Sequence, residues 1–462
     1  MENRTSNEIK LYQFRNQQGE PISPLTDIKT IVDEKGPIKP RYDYIKEMLY
    51  NIIGDAHDPN IKYSWQEVLD IVNRLLIEYG KAPVQLCGEL PPLKDRQPNK
   101  VYIKYKNLYQ TGQYGVRVDM ETGTVVRLGD NYGKTLDDFY NILPWAGRRR
   151  CHIDNNCNII DYYGDVGFDT SESGKYHTFV ESQLFYYKRV PVKVLNNELV
   201  IWEDWISYYP HEGYNVHPAF ISNGKIKDKI YIGAYEGYIS SVGHLCSIPD
   251  VTPTCAKTLE QFKIASKFKS SKFDMMDINQ YSAEQMLFLI STASLDSESS
   301  IGRCITRTTE TTCKNTGQTK NMGSICGKPG GINTLDQSIN FFGVENLWGN
   351  RIVGLQSTKL DANNKLLIYG NQTNITVPTS AGYITRIAYN TNYDYLYIAS
   401  SMSSDVSQSI FKDYKYSTGA KAYTDDCMLY MGESQINSCG IFSQQFYSST
   451  HWDTTVRLMY IP

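Results

Sequence analysis

The chain has 462 residues, a net charge of −3 at pH 7 and 21% charged residues. Such a length holds two or three domains with separate cores. Lysine and arginine are spread along the sequence, so nothing in it offers the electrostatic footprint of a nucleic-acid-binding protein, and no apolar run approaches the roughly 20 residues needed to cross a bilayer.

Residues 1–36 are polar and, with Pro21, Pro24 and Pro37, predict little regular structure. The opening Met1-Glu2-Asn3-Arg4 has no apolar signal-peptide core, so synthesis and retention in a cytoplasm before release are expected. Two helices are predicted next. Tyr42 to Ile53 carries Ile45, Met48, Leu49, Ile52 and Ile53 on one stripe and ends at Gly54. Ser64 with Glu67 forms a capping box, and Val68, Ile71, Val72, Leu75, Leu76 and Tyr79 give one apolar face before Gly80. A single helical hairpin has a small core, so this face needs a partner, either another copy of the chain or the region that follows.

Pro83, Pro91, Pro92 and Pro98 make residues 81–96 read as a linker. A strand is predicted at Val101–Tyr105. Val116–Asp119 and Val125–Leu128 flank Glu121-Thr122-Gly123, a hairpin signal. From about residue 160 the chain is rich in Gly, Ser, Thr, Asn and Tyr, with short strands and long loops, and only Ala283 to Ala293 reads as helix. Long loops on a small scaffold point to function carried on loops. The 36 tyrosines fit a β-rich protein that packs Tyr across strand pairs, and some suit a binding surface. The organisation expected is α+β: an N-terminal part with two helices over 1–95, a β-rich neck over 96–160 and a loop-rich head over 161–462.

Four segments occur in a telling order. They are Leu184-Phe185-Tyr186-Tyr187-Lys188-Arg189-Val190-Pro191, His217-Pro218-Ala219-Phe220, Gly233-Ala234-Tyr235-Glu236-Gly237 and Gly343-Val344-Glu345-Asn346-Leu347-Trp348-Gly349-Asn350. Together they resemble a C-type-lectin-like module, of the formylglycine-generating-enzyme branch, found near the C-terminus of bacteriophage and prophage fibre proteins. Phe14 to Thr26 likewise resembles the opening of phage fibre subunits, where such segments tie the fibre to the particle. The resemblance implies a structural fibre or decoration protein of a tailed bacteriophage, located in the virion. It implies a homo-oligomer, with a trimer favoured, bound to other virion proteins through residues 1–40 and adhering to a host or mucosal glycan. Neither enzymatic activity nor a cofactor is expected, nor a nucleic-acid partner or membrane insertion. A depolymerase or oxidase-like enzyme on the same fold, and a purely structural spacer, are the alternatives.

Within Gly343–Asn350, Glu345, Asn346 and Trp348 are expected to be structural, the polar pair satisfying loop backbone and the indole filling volume. The closing stretch Gly440 to Trp452, followed by Arg457-Leu458, resembles the family's last strands. Carried over by position, Gln444, Tyr447, Ser449, His451 and Trp452 become ligand contacts, with a packing role for Trp452 an equal alternative. The tandem acids Glu203 and Asp204, flanked by tryptophans, read as surface loop.

Other chemistries find less support. The Glu-Pro-Asn, Gln-Pro-Asp and Trp-Asn-Asp strings of calcium-dependent lectins are absent, as is the long acidic signature of the oxidising enzymes of the branch. Gly323 to Lys328 is one residue short of a phosphate loop and is followed by Pro329. Cys151, His152 and Cys157 lack a fourth zinc ligand at a usual spacing. Ten cysteines contain no compact Cys-x-x-Cys pair, so free thiols are expected. Cys246–Cys255 and Cys427–Cys439 are pairs able to close loops in oxidising surroundings.

Overall fold

The computed structural model describes residues 112–462 apart from 172–174, 306–312, 332–336, 417–426, 433–439 and 449–453. It gives the backbone alone of Cys427, Met428, Tyr430, Tyr447 and Ser448, and of four short strands earlier in the chain. Residues 1–109 and 110–462 form separate units. In the first, Val32–Asp33 pairs with Gly36–Pro37, and Val84–Cys87 runs parallel to Val101–Lys104. The predicted strand at Val101 is present. Its partner lies in the stretch read as linker. The expected helices at 42–53 and 64–80 lie outside the described residues.

The second unit opens with the predicted hairpin, β1 (Gln113–Asp119) and β2 (Thr124–Gly129). The Asp119 carboxylate accepts from the backbone N–H groups of Glu121 and Thr122 at 2.8 and 3.1 Å, while Gly123 takes φ +70°. An aspartate closing its own turn ahead of a left-handed glycine is what the local sequence encodes.

The other strands that position the candidate site follow in chain order. They are β3 (Arg149–Ile153), β4 (Ile159–Tyr162), β5 (His177–Gln183), β6 (Tyr186–Leu195), β7 (Glu198–Ser207), β8 (Lys229–Gly233), β9 (Phe273–Met275) and β10 (Ile352–Leu360). Then come β11 (Lys365–Ile368), β12 (Asn371–Thr376), β13 (Gly382–Ala388), β14 (Tyr414–Lys415), β15 (Cys427–Met431), β16 (Gln444–Ser448) and β17 (Leu458–Tyr460). The larger sheet runs β6-β7-β13-β14-β16-β15-β10-β11-β12, with β1 added along β7 and β2 along β1. The smaller runs β9-β17-β8-β5-β3-β4. Strands from residues 113–129 thus share a sheet with strands from residues 186–448. The last strand, β17, is inserted antiparallel between β8 and β9.

Helices are few. The predicted one, α2 (Ile278–Thr292), begins five residues earlier than its apolar run suggests. Asp277 caps it, accepting from the N–H groups of Asn279 and Gln280 at 2.8 and 3.3 Å, and Gln280 completes a capping box. It is buried on nearly every side, as a helix without a polar face must be. Its polar residues are paired inside: Glu284 takes both arms of Arg148 at 2.6 and 2.8 Å, and Gln285 donates to the Ile441 carbonyl at 3.0 Å. A second helix, α1 (Leu259–Lys267), was not predicted. Thr258 and Gln261 cap it, and Leu259, Phe262, Ala265 and Ser266 form its inward face.

The unit is β-rich with few helices, as expected. One expectation is corrected. Glu203 and Asp204 lie in β7, not in a surface loop, and Asp204 is fully buried.

Candidate functional site

The motif segments meet in a buried polar centre. Strand β8 delivers Gly233, and the chain turns inward through Tyr235 and Glu236. A short hairpin of Asn340–Phe341 with Val344–Glu345 brings the third partner, and β17 is preceded by the fourth, Arg457. Glu236, Glu345, Asn346, Asn350, Arg150 and Arg457 are all fully buried. Glu236 Oε2 accepts from the side-chain amides of Asn346 at 3.0 Å and Asn350 at 2.5 Å. Glu345 accepts from the Gly317 and Thr319 N–H groups and the Thr319 hydroxyl, each at 2.7 Å. Arg457 donates to the backbone carbonyls of Glu345 and Asn346, and to that of Gly233 at 3.3 Å. Arg150 donates to the Gly343 carbonyl at 2.8 Å, to the Thr319 carbonyl and hydroxyl at 2.7 and 2.8 Å, and to Asn340 Oδ1 at 3.1 Å.

Two carboxylates and two guanidiniums so placed hold loops together by charge-assisted hydrogen bonds. Trp348 fills the volume beside them, its Nε1 donating to the Gly302 carbonyl at 3.3 Å and its ring meeting Phe288 edge-on at 5.8 Å. The structural positions expected for Glu345, Asn346 and Trp348 are those of buried, bonded groups. Asn346 and Asn350 adopt φ of +51° and +56°, a backbone that asparagine tolerates better than most residues.

Burial dominates the electrostatics. It raises Glu236 to about 7, against the attraction of Arg457 and the two amide bonds. It raises Glu345 as well, opposed first by Arg150. Arg457 is lowered by the same burial. Cys304, whose thiol donates to Asn346 Oδ1 at 3.3 Å, is raised by burial and stays protonated, which is the state of an inert structural cysteine. Chemically this centre fixes backbone.

The earlier segments pack into a neighbouring cluster. His217 caps the turn Pro218–Phe220, its Nδ1 accepting from the Ala219 N–H at 3.3 Å. Its ring lies 5.0 Å from Phe185 and 5.2 Å from Tyr187. Burial, with Arg189 adding repulsion, lowers His217 to about 3, so the ring is neutral. Arg189 and Asp204 form a bidentate pair at 2.6 and 2.9 Å. Asp204 also accepts from Trp202 Nε1 at 2.9 Å and the Tyr397 hydroxyl at 2.7 Å.

The expected ligand contacts fare differently. Gln444 is fully buried in β16. Its Oε1 accepts from the Ala399 N–H at 3.0 Å and its Nε2 donates to the Tyr397 carbonyl at 2.5 Å. Both ends of the amide are engaged by backbone, so the contact role for Gln444 is withdrawn. Tyr447 sits in the same strand opposite Met428, with only its backbone described. Ser449, His451 and Trp452 lie outside the described residues.

Sequence reasoning missed Glu236, Arg150 and Arg457 as partners of Glu345 and Asn346. The available signal was the placement of single charges inside otherwise apolar segments, Gly233–Gly237 and Val456–Tyr460. Among the described residues no group of three or more His, Cys, Asp or Glu side chains is placed to hold a metal ion. All seven described cysteines are free thiols, Cys246 and Cys255 included. No helix of the described residues is long and apolar enough to cross a membrane. No protein-family model matches the chain, and no curated protein matches it.

Proposed function

We propose that this chain is a structural fibre or decoration subunit of a tailed bacteriophage virion, with a C-type-lectin-like C-terminal head that adheres to host-surface or environmental glycans. The observation that supports it is a set of hydrogen bonds among three segments of the resemblance that lie more than 100 positions apart: Glu236 accepts from the side-chain amides of Asn346 and Asn350, and Arg457 donates to the Glu345 and Asn346 carbonyls. The order of the motifs and the bonds among their polar residues therefore point to one scaffold.

On this reading the scaffold is the rigid part and adhesion belongs to the end of β16 and the segment after it, through Tyr447, Ser449, His451 and Trp452. A flat aromatic covers a sugar's apolar face, and hydroxyl and imidazole groups meet its hydroxyls. Individual contacts are weak, and attachment gains strength from copies acting together. A trimer anchored through residues 1–40 provides such an array. The deciding experiment measures binding of the purified chain to host cells in competition with their isolated polysaccharide, alongside sugar release. Saturable binding displaced by polysaccharide, with no release, supports the reading. Sugar release identifies a depolymerase instead.

A further inference from the structure

The outward side of α1 and its C-cap carries large apolar side chains among its polar ones. Leu259, Phe262, Ala265 and Ser266 point into the unit, yet Ile264 is 61% exposed and Phe268, one turn on, 55%. Val242 is 60% exposed, and two residues later the His244 ring lies 6.4 Å from that of Phe268, so the 240–244 turn borders the same face. Five lysines, Lys257, Lys263, Lys267, Lys269 and Lys272, crowd residues 257–272 against one acid, Glu260, in a chain whose net charge is −3. Lys267 is paired with Asp274 at 2.7 Å. The other four are exposed, and Lys269 stands 5.9 Å from the Phe268 ring centre. Basic charge is thus concentrated in one short stretch of a chain that is acidic overall.

We infer that this face adsorbs to an anionic lipid surface, with Ile264, Phe268 and Val242 entering the headgroup boundary and the lysines meeting phosphates. An apolar face ringed by lysines is the pattern of an interfacial helix, which lies on a bilayer without crossing it. Nucleic acid would leave the aliphatic side chains unused. A polyanionic sugar would use Phe268 but offers nothing to Ile264 and Val242. A second copy docking through the same face would set lysines against lysines. The inference stands apart from the glycan reading, which concerns residues 447–452.

The test is flotation of the full chain with phosphatidylcholine vesicles, with and without phosphatidylglycerol. Binding is expected only with the anionic lipid and should fall with salt. Replacing lysines in Lys263→Gln, Lys269→Gln and Lys272→Gln should weaken partition by roughly fivefold each. Ile264→Ser with Phe268→Ser should abolish it while circular dichroism stays unchanged, since neither side chain contributes to the core. Equal binding to neutral vesicles, or none to anionic ones, overturns the inference. So does a change of oligomeric state in the serine variant, which would make this face a contact between copies. Capture of dextran sulfate without vesicle binding would overturn it in favour of an anionic glycan.

Discussion

At the scale of single residues, the polar groups of this unit matter through burial. Glu236 is the clearest case. Its proton is held up to about 7 in the folded chain, against an ordinary value of 4.5. The folded state therefore keeps a proton that the unfolded state releases between these values. The associated stability is fully present below the lower value and is lost as pH rises through the upper one. Asp277, also raised by burial to about 7, acts in the same direction. Urea midpoints measured from pH 5 to 8 should fall with rising pH, and Glu236→Gln should flatten part of that fall. An unchanged slope in the variant would mean that Glu236 is charged throughout. Asp204 gives a second prediction. Removing it in Asp204→Ala strands the buried Arg189 guanidinium, which costs about 3–5 kcal/mol as a broken buried pair. Tyr397→Phe, which removes one of four donors, should cost about 1 kcal/mol. Equilibrium unfolding of the two variants checks the ordering. None of this pairing is legible in sequence, because Asp204 reads there as part of a surface loop and meets Arg189 only when β6 and β7 are laid side by side.

Among elements, legibility followed local chemistry. The β1–β2 hairpin was readable since Asp119 and Gly123 encode the turn within a few residues. Helix α2 was readable only where its apolar run lies, from residue 283. Its first turn, Ile278-Asn279-Gln280-Tyr281, is polar in composition and owes its burial to tertiary partners: Tyr281 donates to the carbonyls of Leu347 and Ile441 at 3.0 and 3.1 Å. Helix α1 was hidden for the opposite reason, because Ile264 and Phe268 on its outward side blur the periodicity of the inward one. The Gly343–Asn350 segment was legible as a structural unit but not its depth in the fold. Trp348 is fully buried, and the Gly349 N–H donates to the Gly432 carbonyl at 3.0 Å, tying the segment to the end of β15. Trp348→Ala should cost roughly 3–5 kcal/mol, the usual range for losing a large buried aromatic. Calorimetry checks it. Any loss of adhesion in this variant should track the loss of folded protein. A well-folded variant with selectively lost binding would move the segment into the ligand surface.

For the whole molecule, the two sheets explain why the polar centre and the proposed adhesive segment are separable. The centre is closed over by β8, β17 and the 340–345 hairpin, so its side chains serve the fold. Residues 449–453 join β16 of the larger sheet to the short strand Thr454–Thr455, which runs parallel to the start of β10. The scaffold holds both ends of that connection: β16 is fixed by the Gln444 amide, and Arg457 pins the chain just beyond it. Substitutions between the two anchors should therefore leave the scaffold intact. A Tyr447→Ala, Trp452→Ala double variant is expected to keep its circular dichroism, its melting point and its oligomeric state by light scattering. It should lose adhesion to host cells or their polysaccharide. Because binding through repeated copies multiplies small losses, the array should lose far more than a single head does, so adhesion must be measured on the assembled oligomer as well as on monomeric chain. Undiminished adhesion by the folded double variant would make Tyr447 and Trp452 packing groups and place the ligand, if it is a glycan, on another surface of the head.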